Sequence, residues 1–223
     1  MTTNWSSMSP SATSIIDPAG PAAGAGEAAR IGPNAVLQLI EALRAGGMAD
    51  RLQTLFAAAG AADWLDAPPG QMVDERRVAR LHRGVRASLT PHEAVALMSE
   101  AGRRTADYLL ANRIPKPAQA VLKILPPRLA AEILVRAIRA NAWTFAGSSR
   151  FEARAGSPTV FTLTGNPLCA GEQSPQPICA WHAAVFQRLF QELVSPRARA
   201  VETHCAAAGD PFCRFVVDWR PAP

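Results

Sequence analysis

The first 165 residues contain no cysteine, and all four cysteines fall between positions 169 and 213. Tyrosine occurs once and aromatic residues make up only 6% of the chain, which argues against a large β-sandwich built on aromatic cross-strand pairs. Nowhere do about 18 apolar residues follow one another, so no membrane-spanning helix is expected. Met1 to Glu27 carries no Lys or Arg and no apolar run of signal length, so no secretory signal is expected. The expected location is therefore cytoplasmic, where cysteines usually serve as free thiols or metal ligands. The sequence also lacks a Walker motif, a Gly-x-Gly-x-x-Gly following a strand, a ferredoxin-like cysteine run and a DNA-reading helix-turn-helix. A net charge of +5 is compatible with acidic ligands or an anionic membrane surface. With no nucleic-acid motif beside it, the charge reads as that of a mildly basic soluble protein with no nucleic-acid partner.

What is present divides the chain in three. Residues 1–29 are rich in Ser, Thr, Ala, Gly and Pro and read as a flexible tail, whose Gly24-Ala-Gly26 follows no strand. Residues 30–139 form a helical region. Gly32-Pro33-Asn34 opens a first helix with Val36, Leu39, Ile40 and Leu43 on one face, and a second runs from about Ala49 to Ala59. A third spans Asp74 to Ala87. Thr90-Pro91-His92-Glu93 is a capping box that starts a long helix to about Asn112. Helical pieces follow at Ala118–Leu125 and Arg128–Asn141, the latter with Ile133, Leu134, Ala137 and Ile138 on its apolar side. A basic amphipathic helix of that kind permits peripheral membrane contact at most, with a solvated face as the plainer reading. Residues 140–223 read as a second domain. Trp143-Thr-Phe145, Arg150–Arg154, Thr159–Thr164, Arg199–Cys205 and Cys213–Trp219 read as strands, with a helix at Cys179–Val194 and a long loop at Gly165–Ile178.

The cysteines can be placed by spacing. If the last two strands form a hairpin, Cys205 faces Cys213, Val201 faces Val217, and both cysteines lie on the apolar face, with Glu202 and His204 on the other. Cys179, His182, Phe186, Leu189, Phe190 and Leu193 share one helical face. Packing that face on the sheet brings Cys179 to the Cys205/Cys213 pair. A thiolate-rich tetrahedral site selects zinc. Cys169 is the first choice of fourth ligand, with Glu172, Glu152 and His182 as the other candidates. The spacing equally admits buried free thiols packed as small apolar residues, and, third, a Cys205–Cys213 disulfide.

Three blocks carry a resemblance: Asn166-Pro-Leu-Cys169; Cys179-Ala-Trp-His182 with Phe186 and Leu189-Phe190; and Glu202-Thr-His-Cys205 with Gly209-Asp-Pro-Phe-Cys213. Together they resemble the 4-vinyl-reductase domain family, in its bacteriochlorophyll-synthesis branch from purple phototrophic bacteria, and Ile31-Gly-Pro-Asn34 also fits. The resemblance implies an α+β fold, helices packed on an antiparallel sheet, similar to vesicle-tethering and nitric-oxide-sensor-like folds, with a small-molecule pocket between helices and sheet. In phenol-sensing regulators of this domain family, three cysteines and an acid hold a structural zinc. The cysteines map onto Cys179, Cys205 and Cys213, and the acid has no match. The resemblance therefore favours zinc over free thiols.

It also implies a ligand, a divinyl Mg-tetrapyrrole of bacteriochlorophyll biosynthesis (a Mg-porphyrin or chlorophyllide intermediate). Three roles follow: carrier or accessory protein, the divinyl (proto)chlorophyllide 8-vinyl (old 4-vinyl) reductase itself, or a ligand sensor. NADPH is required only by the reductase. His182 is the preferred axial ligand among His82, His92, His182 and His204. Trp181 and Trp143 are candidates for stacking on the macrocycle, and Arg103 and Arg104 for pairing with its propionates. Other bacteriochlorophyll-synthesis enzymes and a second copy of the chain, as a homodimer, complete the expected partners.

Overall fold

A computed structural model describes residues 28–220. The tail expected over residues 1–29, with Gly24-Ala-Gly26, lies outside the described residues except for Ala28 and Ala29. The helical half begins with a two-residue strand β1 (Arg30–Ile31), then α1 (Asn34–Ala45), α2 (Leu52–Ala58), α3 (Asp63–Asp66), β2 (Val73–Asp74), α4 (Glu75–Ala87), α5 (Pro91–Asn112), α6 (Lys116–Ile124) and α7 (Pro127–Ala140). A short α8 (Trp143–Ala146) leads into β3 (Arg150–Arg154) and β4 (Thr159–Thr164), then α9 (Ala180–Leu193), β5 (Arg199–His204) and β6 (Cys213–Asp218). The strands β1 and β2 pair with each other; the main sheet is antiparallel in the order β3-β4-β6-β5. No described helix is long and apolar enough to cross a membrane.

Local chemistry sets the helix starts. The Thr90 hydroxyl accepts from the Glu93 amide while the Glu93 carboxylate accepts from the Thr90 amide, and Pro91 fits the first turn. Asp74 caps α4 by accepting from the Arg76 amide. In the sheet, alternate residues point inward: Thr159, Phe161 and Leu163 from β4, and Cys213, Phe215 and Val217 from β6, all fully buried. Helix α9 lays Phe186, Leu189, Phe190 and Leu193 on this face, each removal from water stabilising the fold by about 1.5–3 kcal/mol. Helix α5 runs along α9 and α1 packs on α5. Gly102 permits that approach, because a methyl group there would strike the Trp181 carbonyl and the Ala184 side chain. One continuous apolar core links the helical half to the sheet.

The fold is the α+β arrangement that the sequence leads one to expect, with four local corrections. Trp143–Phe145 is helical: the Thr144 amide bonds back to the Asn141 carbonyl and those of Phe145 and Ala146 to that of Ala142, a stretch too short for periodicity to read. In α7 the buried stripe is Ala130, Ala131, Leu134, Val135 and Ile138, so Ile133 turns outward and is exposed. The helix expected from Ala49 opens as a 3₁₀ turn, Ala49–Arg51. The last hairpin carries a β-bulge between Glu202 and His204. Beyond it Glu202 pairs with Phe215 and Val201 with Val216, one residue out of the expected register, so Val201 is exposed and Glu202 faces inward.

Candidate functional site

Four segments deliver one sulfur each. Cys169 ends a 3₁₀ turn after β4, Cys179 caps α9, Cys205 follows β5 and Cys213 opens β6. All four are buried and their sulfurs lie within 4.8 Å of one another. Cys169 Sγ is 3.6 Å from Cys213 Sγ, and Cys179 Sγ is 3.8 Å from Cys213 Sγ and 3.9 Å from Cys205 Sγ. Four sulfurs held at about 2.3 Å from a common centre in tetrahedral geometry stand about 3.8 Å apart, so these residues fit zinc. The bulge keeps Cys205 opposite Cys213 at the hairpin end while reversing the strand behind them.

N–H donors surround the sulfurs. Asn166 Nδ2 donates to Cys179 Sγ at 3.3 Å and to Cys213 Sγ at 3.5 Å, and the Ala206 amide donates to Cys213 Sγ at 3.4 Å. Such donors favour thiolate over thiol. Hydrogen bonds from the neighbouring thiols, Cys169 first, pull Cys205 well below the ordinary thiol range. Bonds to Cys169, Cys205 and Cys213, and then burial, hold Cys179 well above it. Asn166 had no assigned role from sequence; its Asn-Pro step marks only a turn.

Glu202, expected on the outer face, comes to the centre instead. Its Oε2 accepts from the Cys179 amide at 2.7 Å, while its Oε1 is buried without a partner, and burial pushes the carboxyl up to about 9. The other fourth-ligand candidates are engaged or distant. Glu172 is ion-paired to Arg86, which also donates to the Leu168 carbonyl. Glu152 is exposed on β3 and paired with Arg150.

One turn along α9 from Cys179 lies His182, 1% exposed, with neither ring nitrogen hydrogen-bonded. It is packed by Trp181, Phe215 and Phe145, at ring-centroid distances of 4.9, 5.6 and 6.4 Å. Trp181 Nε1 is likewise buried and unpartnered. His82 on α4 meets the other side of Trp181 at 6.4 Å; its Nε2 lies 2.8 Å from the Ala35 carbonyl and its Nδ1 is unpartnered. Burial brings each imidazole down to about 3, so both are neutral at neutral pH. Of the residues singled out for pigment contact, Trp181 and His182 lie together. Trp143 is half-exposed on α8. Arg103 pairs with Glu100 and Asp107, and Arg104 with Glu100, on the outer side of α5. His92, also weighed as an axial ligand, is exposed in the first turn of α5.

Comparison with known proteins adds identity to this geometry. Residues 159–218 match the 4-vinyl-reductase (V-4-R) domain. The chain is 49% identical over 189 residues to the bacteriochlorophyll synthase 23 kDa chain of Cereibacter sphaeroides, covering 83% of this chain and 89% of that one. It is 40% identical over 189 residues to the chain of the same description from Rhodobacter capsulatus, covering 84% and 86% respectively. Among solved structures, one of the H-NOX family, described as probing the function of heme distortion, aligns over 86% of this chain and 97% of its own at a TM-score of 0.54 and 12% identity. That likeness concerns the fold alone.

Proposed function

The chain belongs to the family of the bacteriochlorophyll synthase 23 kDa chains, with a 4-vinyl-reductase domain at its C-terminal end, and from that premise we propose that it serves bacteriochlorophyll biosynthesis by binding a divinyl Mg-tetrapyrrole intermediate as a carrier. The observation that carries this reading is His182, a buried neutral imidazole whose ring nitrogens have no protein partner. A neutral imidazole is the form that donates a lone pair to a metal. Phe145, Phe186 and Phe215 around it offer apolar and aromatic contact of the kind a planar macrocycle requires. Trp181 supplies an N–H for a peripheral carbonyl or carboxylate.

In this reading zinc is structural. Cys169, Cys179, Cys205 and Cys213 would fill its coordination and leave no open position, so the ion ties segments together and takes no part in turnover. Asn166 and the Ala206 amide would steady the thiolates from outside that set. Association with other bacteriochlorophyll-synthesis components follows from the same family membership, and a carrier needs an enzyme to hand its pigment to.

The test uses purified protein incubated with a Mg-divinyl porphyrin, with and without NADPH, recording absorption spectra and pigment mass. A stoichiometric spectral shift with the vinyl group intact is the expected outcome. A gain of two hydrogens dependent on the reductant would make the protein the vinyl reductase itself. Absence of any shift would remove the pigment-binding reading.

A further inference from the structure

Helices α6 and α7 are apolar on two sides. Their inner faces are taken up by the core: Leu122 from α6, and Ala130, Ala131, Leu134, Val135 and Ile138 from α7. Their outer faces carry a second apolar set. Val121 and Ile124, one turn apart at the end of α6, are 51% and 83% exposed; Leu129 and Ile133, one turn apart at the start of α7, are each 48% exposed. The corner between them is Leu125-Pro126. Trp143, also 48% exposed, follows α7. Five of the seven large apolar residues exposed among the described residues therefore lie between positions 121 and 143.

The charge of the molecule is concentrated in the same place. Residues 113–143 hold Arg113, Lys116, Lys123, Arg128, Arg136 and Arg139 against a single acid, Glu132. Six of 23 basic and one of 18 acidic residues account for the whole formal charge of +5, and the rest of the chain is balanced. Lys123 makes a 3.5 Å pair with Glu192; Arg113, Arg128, Arg136 and Arg139 form no ion pair among the described residues. Elsewhere the arginines are mostly tied to neighbouring acids, as Arg76, Arg77, Arg86, Arg103, Arg104 and Arg188 are.

We propose that the α6–α7 corner docks the protein on an anionic lipid bilayer surface. Apolar side chains at a protruding corner suit the fluid boundary between headgroups and acyl chains, into which Ile124 and its neighbours insert separately. Lys and Arg around them extend apolar stems over that boundary and set their charged ends among phosphates. Trp143 has the amphipathic ring that sits at this depth. A folded protein partner would ask instead for a concave apolar seat on one side or the other. This inference is independent of the metal centre and of the pigment reading.

The experiment is flotation of the full chain with vesicles of phosphatidylcholine alone and of equal parts phosphatidylcholine and phosphatidylglycerol. The protein is expected to float with the anionic vesicles and not with the neutral ones. Raising salt to about 0.5 M weakens the partition through screening, and the R128E/R136E variant lowers it by at least about tenfold, since each cation near the surface accounts for about fivefold. Ile124→Asp has the same direction. All of these residues are exposed, and circular dichroism with thermal melting checks that the variants keep the fold. Failure of the wild type to float with anionic vesicles would overturn the proposal, as would an R128E/R136E variant that floats equally well. Capture of an acidic soluble protein through these arginines, without vesicle binding, would overturn it in favour of a protein interface.

Discussion

Cys179 and His182 sit one turn apart on the same buried face of α9, yet their surroundings are opposite in kind. Each sulfur beside Cys179 meets other sulfurs, and N–H groups from Asn166 and Ala206 point at the cluster. Around His182, by contrast, both its ring nitrogens, Trp181 Nε1 and His82 Nδ1 are buried with no partner in the protein. Buried polar atoms in folded proteins are nearly always paired, so a group of exceptions marks a place where something else completes the pairing. The sulfur cluster, given a metal, is self-sufficient and serves as scaffold. The imidazole layer is incomplete without a bound molecule. Burial alone does not distinguish the two; the hydrogen-bond partners do.

Three experiments test that contrast. The largest effect is expected on the sulfur side. Cys205→Ser should lose its metal and cost about 3 kcal/mol or more, because a structural metal's binding energy is folding energy. Elemental analysis and thermal melting on one sample decide it: full metal content with an unchanged melting temperature would remove the scaffold assignment. Next comes His82. Burial, then Arg86, bring its pKa from 6.5 to about 3. Below the unfolded value the unfolded chain binds the extra proton, so stability falls as pH drops, by about 1.4 kcal/mol per unit, until the folded group titrates. Above that window the effect is absent. His82→Gln keeps an N–H for the Ala35 carbonyl and should flatten urea-measured stability between about pH 6.5 and 5. An identical slope in the variant would refute the assignment. The smallest effect on stability is expected from His182→Phe. Replacing an unpaired buried polar ring by an apolar one of similar shape should change stability by less than about 1 kcal/mol, while abolishing the pigment-induced spectral shift. A large loss of stability would show His182 to be an internal structural group.

Much of this was legible in the residues. Thr90-Pro91-His92-Glu93 announces its helix, because capping is decided within four neighbouring residues. The convergence of Cys179, Cys205 and Cys213 follows from a 3.6-residue period on α9 and a period of two on the hairpin. The bulge at Glu202–His204 was not legible. A single extra residue leaves no mark in composition, yet it turns Glu202 inward and Val201 outward. Nor was the state of the histidines: His82 and His182 are ordinary residues of amphipathic helices until α4 and α9 are brought together around Trp181. Arg103 and Arg104 looked available as cations, and only the placement of Glu100 on the preceding turn of α5 shows them engaged.

The order of the main sheet has one more consequence. Strand β6 comes last of the four along the chain but lies between β4 and β5. As the polypeptide emerges from the ribosome, β3 and β4 can pair at once, whereas β5 has no neighbour until β6 is synthesised. A chain interrupted before Cys213 is therefore missing the middle of its sheet rather than an edge, and it leaves two open strand edges for proteases or aggregation to find. Completion of the C-terminal half is a single late event in biosynthesis, and the sulfur cluster, which takes its last member from the same strand, closes with it.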